Sequence, residues 1–318
     1  PKNLISNNES DLYHYFIVSS PIVELIAFQT IKSYGLDHCR VKFITHRGYQ
    51  PKILDVEIIS PPSGIIDRVA LKLLDVSFEG LALALRLRLL DNKFFLYCAW
   101  DFPSAMQSMG LELCQGHFYL EEGQVSYNNH KLYKNNLNFR EGRERIRRWK
   151  DINRELSAND DTTSYSEFYN DSALAFICIF DDAFPFLPSE KKIIIDDFEP
   201  LLESYCPKTK GIKHIGIMCT YRRLDNGNYL SAIDLLIEKL PKNSLIKLHP
   251  EFERTPALIS EIEEYLFQKH GNDYMLCPKD TILEIEMLFE KKTLYGPLSS
   301  LVKYAENLGS NVTQVALY

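Results

Sequence analysis

The sequence predicts an α/β protein of two Rossmann-like domains, each a parallel sheet with helices on its faces. Three observations carry that prediction. Short apolar runs alternate with amphipathic stretches of helical length, the pattern of βαβ units. The chain has 318 residues, more than one hydrophobic core usually organises. Pro, Gly and Lys cluster at 206–211 (CPKTKG), a linker-like composition that divides the alternation into two series. The expected domains are therefore 1–207 and 208–318.

His14–Ser19 (HYFIVS) reads as the first strand, from its unbroken aromatic and β-branched centre. Pro21–Ser33 reads as a helix, since Pro suits a first helical position and apolar residues follow at helical spacing. Arg40–Thr45 (RVKFIT) is the next strand, which completes a βαβ opening. Phe94–Ala99, Gly116–Leu120, Leu174–Phe180 and Lys192–Ile195 are further short strands, with unplaced helices between them. The second series is regular. It runs strand Lys213–Cys219, helix Leu230–Leu240, strand Ser244–Leu248, helix Pro256–Lys269, strand Tyr274–Cys277 and helix Thr281–Glu290. It ends with strand Lys292–Tyr295, helix Ser299–Leu308 and strand Val312–Leu317. Between Tyr127 and Asp171 the texture turns to Asn, Arg, Ser and Asp, which reads as an insertion in the first domain. Within it Arg140–Arg154 forms a basic helical run, either a solvated face or a contact for an anionic acceptor or membrane surface.

Hydrophobic residues make up 45% and charged residues 25%, a globular mixture that excludes a disordered chain. No uncharged apolar run approaches the roughly 18–20 residues of a bilayer span, and Arg86 and Arg88 interrupt the one at Leu81–Leu90. No signal peptide is visible. The cysteines are seven, an odd number without a C-x-x-C pair, which points to thiols in a reducing cytoplasm. A formal charge of −7 speaks against a protein that coats nucleic acid. Dinucleotide, P-loop, H-E-x-x-H and nucleophile-elbow motifs are missing. So is any D-x-D pair, and neither a metal nor another cofactor is expected.

Three short motifs remain as carriers of chemistry. A strand ending at Leu248 puts His249 at the carboxyl edge of a parallel sheet, where open α/β folds bind ligands. Pro250 stiffens the backbone beside it, and the imidazole can donate a proton or hydrogen bond to a leaving phosphate near neutral pH. In YGPLSS, Gly296 and Pro297 stop a strand and Ser299–Ser300 open a helix. Two hydroxyls and unpaired N–H groups then meet at the positive end of a helix dipole, an anion site in outline. In FYLEEGQVSY a strand runs into Glu121–Glu122 and turns at Gly123. Alternation points only one of the two carboxylates into a cleft, where a desolvated Glu can act as general base. Each motif alone also has an ordinary structural reading: an exposed strand end, a helix cap, an acidic turn. Asp225, in the loop RRLDNGN after a second-domain strand, is the reserve base.

Taken in order, E-E-G in the first half, then H-P and S-S in the second, these motifs resemble the signature of the bacterial sialyltransferases of the GT-B fold. Glu284, six residues after Pro278 in CPKDTILE, resembles the carboxylate that those enzymes place on the ribose of CMP, with Glu286 as the substitute. The run YFIVSSPIVELIAFQTIK is similar to the opening of the lipooligosaccharide and capsule branches, which puts Ser19, Ser20 and Pro21 in a loop facing the cleft. Gln124 departs from the pattern, standing where some relatives carry Ser.

The resemblance implies parallel sheets facing across a cleft and an inverting, metal-independent transfer of sialic acid from CMP-sialic acid to a glycan hydroxyl. Glu122 or Glu121 would then take the acceptor proton. His249, Ser299 and Ser300 would stabilise the departing phosphate, Glu284 would fix the ribose, and Pro250 would pack near the cytosine. Its partners would be CMP-sialic acid and a surface glycan acceptor, with no nucleic acid. The expected location is the cytoplasm, with peripheral attachment to the inner face of the cytoplasmic membrane as the alternative if Arg140–Arg154 contacts it. The alternatives are a CMP-Kdo, CMP-legionaminic acid or UDP-sugar donor on the same fold, and a non-catalytic glycan-binding α/β protein.

Overall fold

A computed structural model describes residues 5, 12–46, 49–53, 56–59, 78–100, 103–127, 169, 172–220, 224 and 228–317. The Arg140–Arg154 run and Asp225 lie outside the described residues. The chain divides into two compact units, 1–201 and 202–318.

Among the described residues the first unit has seven parallel strands: β1 (Tyr13–Val18), β2 (Val41–Thr45), β3 (Glu57–Ile59), β4 (Phe94–Cys98), β5 (Cys114–Leu120), β6 (Ala175–Cys178) and β7 (Lys192–Ile194). Their order across the sheet is β3-β2-β1-β4-β5-β6-β7. An aromatic ladder crosses its centre in register. Phe16 lies opposite both Phe43 and Tyr97, and Tyr97 lies opposite Phe118. The Phe16 and Tyr97 rings stack at 4.1 Å and those of Tyr97 and Phe118 at 4.8 Å, which adds cross-strand stacking to the burial of large apolar area.

Period-two alternation sends Tyr15, Ile17, Leu96, Tyr119 and Phe176 to the opposite face. There they pack with Leu83 and Leu87 of α2 (Phe78–Leu90) and Ala105 of α3 (Pro103–Met109). Helix α1 (Pro21–Tyr34) packs against β1, β5 and β6, and every residue from Ile22 to Ile31 is buried. Its one buried acid, Glu24, accepts hydrogen bonds from the Tyr49 hydroxyl at 2.7 Å and from the Lys52 and Ile53 amides at 2.6 Å each. That carboxylate clamps the chain leaving β2.

The second unit carries β8 (His214–Ile217), β9 (Ser244–Lys247), β10 (Tyr274–Leu276), β11 (Thr293–Gly296) and β12 (Asn311–Gln314). They pair in parallel in the order β10-β9-β8-β11-β12. Between them run α6 (Tyr229–Ile237), α7 (Pro256–His270), α8 (Leu283–Phe289) and α9 (Ser300–Asn307). The chain turns back at β8, so loops after β8 and β11 diverge there, the usual place for a ligand in such sheets.

Both units are thus parallel α/β sheets, as the sequence predicts. The unplaced helices of the first unit resolve among the described residues into α2, α3 and α4 (Gly123–Tyr127), with α5 (Glu199–Ser204) at the junction. Helix α2 escaped placement for a physical reason: its leucines occupy both faces, so the 3.6-residue period is blurred.

His14, on the ladder face of β1, generates a pH dependence. Burial, reinforced by the charge of Arg40, lowers its pKa from 6.5 to about 4, and its Nδ1 lies 2.9 Å from the Tyr97 hydroxyl. The unfolded chain therefore binds a proton that the folded chain refuses between those two values. Stability is expected to fall as pH drops through that window, by roughly 3 kcal/mol from this group. Urea unfolding across the window should show a shallower fall for His14→Gln than for the native chain; identical slopes would remove His14 as the cause.

Candidate active site

Sheet one presents its candidates where β5 ends. Leu120 is fully buried, and the next two side chains part as strand alternation requires. Glu121 turns inward and is wholly buried. One carboxylate oxygen accepts the Ile179 amide at 2.9 Å and the other the Tyr127 hydroxyl at 2.5 Å. It thereby ties the end of β5 to the chain leaving β6 and to α4. Burial and the neighbouring Glu121 raise the Tyr127 pKa well above its ordinary value, so the phenol stays protonated as the donor. The same two causes push the Cys178 thiol up to about 12. Glu121 is a structural carboxylate.

Glu122 is half-buried. Its side chain accepts the Ser19 hydroxyl at 2.9 Å, and its amide donates to the Ser126 hydroxyl at 2.8 Å. Ser19 follows β1 and Glu122 follows β5, so this bond passes over the end of β4, which lies between them. Gly123 turns the chain with φ 48°, in the left-handed region that favours glycine. Ser20 caps α1 without a side-chain capping bond, Pro21 occupies its first turn, and the Ser20 hydroxyl is buried without a partner. The loop assigned by resemblance thus meets one of the two E-E-G carboxylates. Sequence reasoning missed Ser126 and Tyr127, although both lie within six residues of that motif.

In the second unit His249 follows β9 and caps the 3-10 turn Pro250–Arg254. Its Nδ1 accepts the Glu251 amide at 3.2 Å, so the neutral ring carries its proton on Nε2. Phe252, wholly buried, anchors the turn in the core. The Thr220 hydroxyl, from the chain leaving β8, donates to the Glu251 carboxylate. The sequence offered no signal for that tether, since Thr220 and Glu251 come from different strands.

Two strands across, β11 ends at Gly296. A Cβ there would meet the Ile217 carbonyl oxygen at 2.6 Å, so only glycine lets the ends of β8 and β11 approach this closely. Ser299 then caps α9 in an extended conformation with no side-chain capping bond, and its hydroxyl is buried without a partner. Ser300 opens the helix. His249 and Ser299–Ser300 therefore stand on the carboxyl edge of one sheet, on strands that flank β8.

Glu284 lies in the first turn of α8, half-buried. Burial raises its pKa, and Lys247 at the end of β9 counters that shift. Glu286, the substitute, is corrected to a structural role. It is 1% exposed and accepts the Tyr205 hydroxyl, the Lys208 and Thr209 amides and the Thr209 hydroxyl. With its oxygens occupied, it is not placed to hold a ribose. Among the described residues no group of three His, Cys, Asp or Glu is placed to hold a metal ion.

The different burial of the two E-E-G carboxylates separates them by stability. Glu121→Ala leaves a buried amide and phenol without their acceptor and is expected to cost about 2–4 kcal/mol. Glu122→Ala loses one half-exposed hydrogen bond and is expected to cost less than about 1 kcal/mol. Urea unfolding of both variants measures the difference, and equal costs would contradict the inward–outward division.

No protein-family model matches this sequence, and no curated protein matches it. Solved structures do resemble it. Anabaena HepE in complex with UDP-glucose aligns with 95% of this chain and 80% of its own, at 9% identity and a TM-score of 0.45. The glycosyltransferase SnogD from Streptomyces nogalater aligns with 95% of this chain and 80% of its own, at 10% identity and 0.45. A Listeria monocytogenes protein described as a UDP-N-acetylglucosamine 2-epimerase gives 95% and 78%, at 11% identity and 0.49.

Proposed function

We propose that this chain is an inverting, metal-independent glycosyltransferase that takes its sugar from a nucleotide-activated donor, CMP-sialic acid in the finer reading. The observation that supports this best lies on the carboxyl edge of sheet two. There His249, whose Nδ1 accepts the Glu251 amide, carries its proton on Nε2, and the buried Ser299 hydroxyl, not engaged in capping, stands at the start of α9 on the other side of β8. Such donors suit the charge that builds on a departing nucleotide phosphate.

In this reading the second unit binds the donor, with Glu284 toward the ribose hydroxyls and Pro250 beside the base. The bond from the anomeric carbon to the phosphate oxygen breaks, its electron pair leaves with the nucleotide, and His249 and Ser299–Ser300 stabilise the phosphate. The acceptor oxygen attacks the opposite face through an oxocarbenium-like state, and its proton passes to Glu122. Ser19, donating to that carboxylate, orients it; Glu121 holds the loop. The order of E-E-G, H-P and S-S supports CMP-sialic acid among donors. CMP-Kdo, CMP-legionaminic acid and UDP-sugars are the other donor classes. UDP is the nucleotide in the HepE structures, and the donor panel therefore sets UDP against CMP.

The test begins with thermal unfolding in the presence of CMP or UDP. A rise with CMP alone supports the finer reading, a rise with UDP alone moves the donor to UDP-sugars, and no rise with either counts against a nucleotide-sugar enzyme. Nucleotide release and product mass are then followed with CMP-sialic acid and an acceptor panel of lactose, N-acetyllactosamine and sialyllactose. Turnover is expected to survive EDTA, and a strict divalent-metal requirement would overturn the metal-independent step. His249→Ala is expected to lower kcat by about 10²-fold or more, in the range of losing one preorganised donor, with an unchanged unfolding midpoint. Near-native turnover in that variant would remove the histidine from the mechanism.

A further inference from the structure

We infer that α2 is a membrane-docking element, a helix that lies on an anionic bilayer surface through a ridge of leucines flanked by arginines. The helix is apolar on two sides. Leu83 and Leu87, each 1% exposed, fill the core of the first unit, whereas Leu81, Leu85 and Leu89 are 48%, 59% and 77% exposed. At about 100° per residue these three, spaced four apart, form one ridge opposite the buried pair, about 12 Å long. A helix that is apolar all round is ordinarily enclosed; this one is open along the ridge.

The charges around the ridge identify its occupant. Arg88 and Arg86 fall on its two flanks, both exposed, and neither pairs with a carboxylate among the described residues. Residues 81–90 include no acid at all. In a chain of net charge −7, an exposed apolar strip with an arginine on each flank and the exposed Asp91 only beyond its carboxyl end matches leucines in the acyl boundary and guanidiniums at anionic headgroups. A second copy of the chain fits worse, because apposed ridges would bring the flanking arginines of both copies together. The helix has 13 residues, about 20 Å, too short to span the roughly 30 Å hydrocarbon core. It therefore lies in the interface plane. This inference does not depend on sugar transfer, and its test contains neither donor nor acceptor.

Co-sedimentation of the full chain is measured with vesicles of phosphatidylcholine alone and with phosphatidylglycerol added. Binding is expected only to the anionic vesicles. The double variant Leu85→Ser/Leu89→Ser is expected to lose about tenfold or more in partition coefficient, and Arg86→Gln/Arg88→Gln about tenfold, both with native unfolding midpoints. Leu89→Trp, in a chain that keeps the rest of the ridge, is expected to be quenched by brominated phosphatidylglycerol. Absence of vesicle binding by the native chain would overturn the inference. So would unchanged binding by the leucine variant, an unquenched tryptophan, or a concentration-dependent dimer that the leucine variant dissolves.

Discussion

Parallel pairing is the constraint on which the rest of this molecule depends. A parallel partner can be reached only by a crossover, so each strand delivers its following loop to the same carboxyl edge. In the first unit that rule brings Ser19–Ser20 after β1 to the edge that holds Glu121–Glu122 after β5. In the second it brings His249 after β9 and Ser299–Ser300 after β11 to one edge on either side of β8. Residues far apart in sequence share an edge because crossovers leave them no other.

The buried carboxylates show how polar groups are admitted to such a core. Glu24, Glu121 and Glu286 are all at most 1% exposed, where an unpaired carboxylate would be prohibitively unfavourable. Each receives donors from loop amides and hydroxyls, Glu24 from residues 49–53, Glu121 from Tyr127 and Ile179, Glu286 from residues 205–209. Each of these carboxylates is used to fasten neighbouring chain. Glu122 and Glu284 differ: both are half-buried, which leaves their carboxylates open to other work.

Much of the second unit could be read from the sequence because its strands are short apolar runs between helices with clear starts, such as Pro256 and Ser299–Ser300. The first unit was harder. β3 has three residues and α4 five, too few for a period to register, and α2 hides its phase behind leucines on both faces. At the site, composition named the residue types and strand alternation named the pair, but neither could tell Glu284 from Glu286. Two residues apart on a helix, they face in different directions. Only the return of residues 205–209 decides which is occupied, and that contact spans more than 75 residues of chain.

The Glu286 clasp also redraws the edge of a unit. Lys208 and Thr209 sit in the stretch whose composition reads as a linker and Tyr205 directly precedes it, yet their donors complete a buried carboxylate in α8, and the buried Lys292 side chain reaches the Thr209 and Ile212 carbonyls. Thr209 is buried, and Tyr205 and Lys208 reach into the second unit through a hydroxyl and an amide. A polypeptide starting at 208 would lack the Tyr205 phenol and strand part of a carboxylate in apolar surroundings. An autonomous second unit must accordingly begin upstream of Tyr205, and its minimal sequence is set by a hydrogen-bonding debt inside α8, not by the Pro and Gly that mark the surface of the chain.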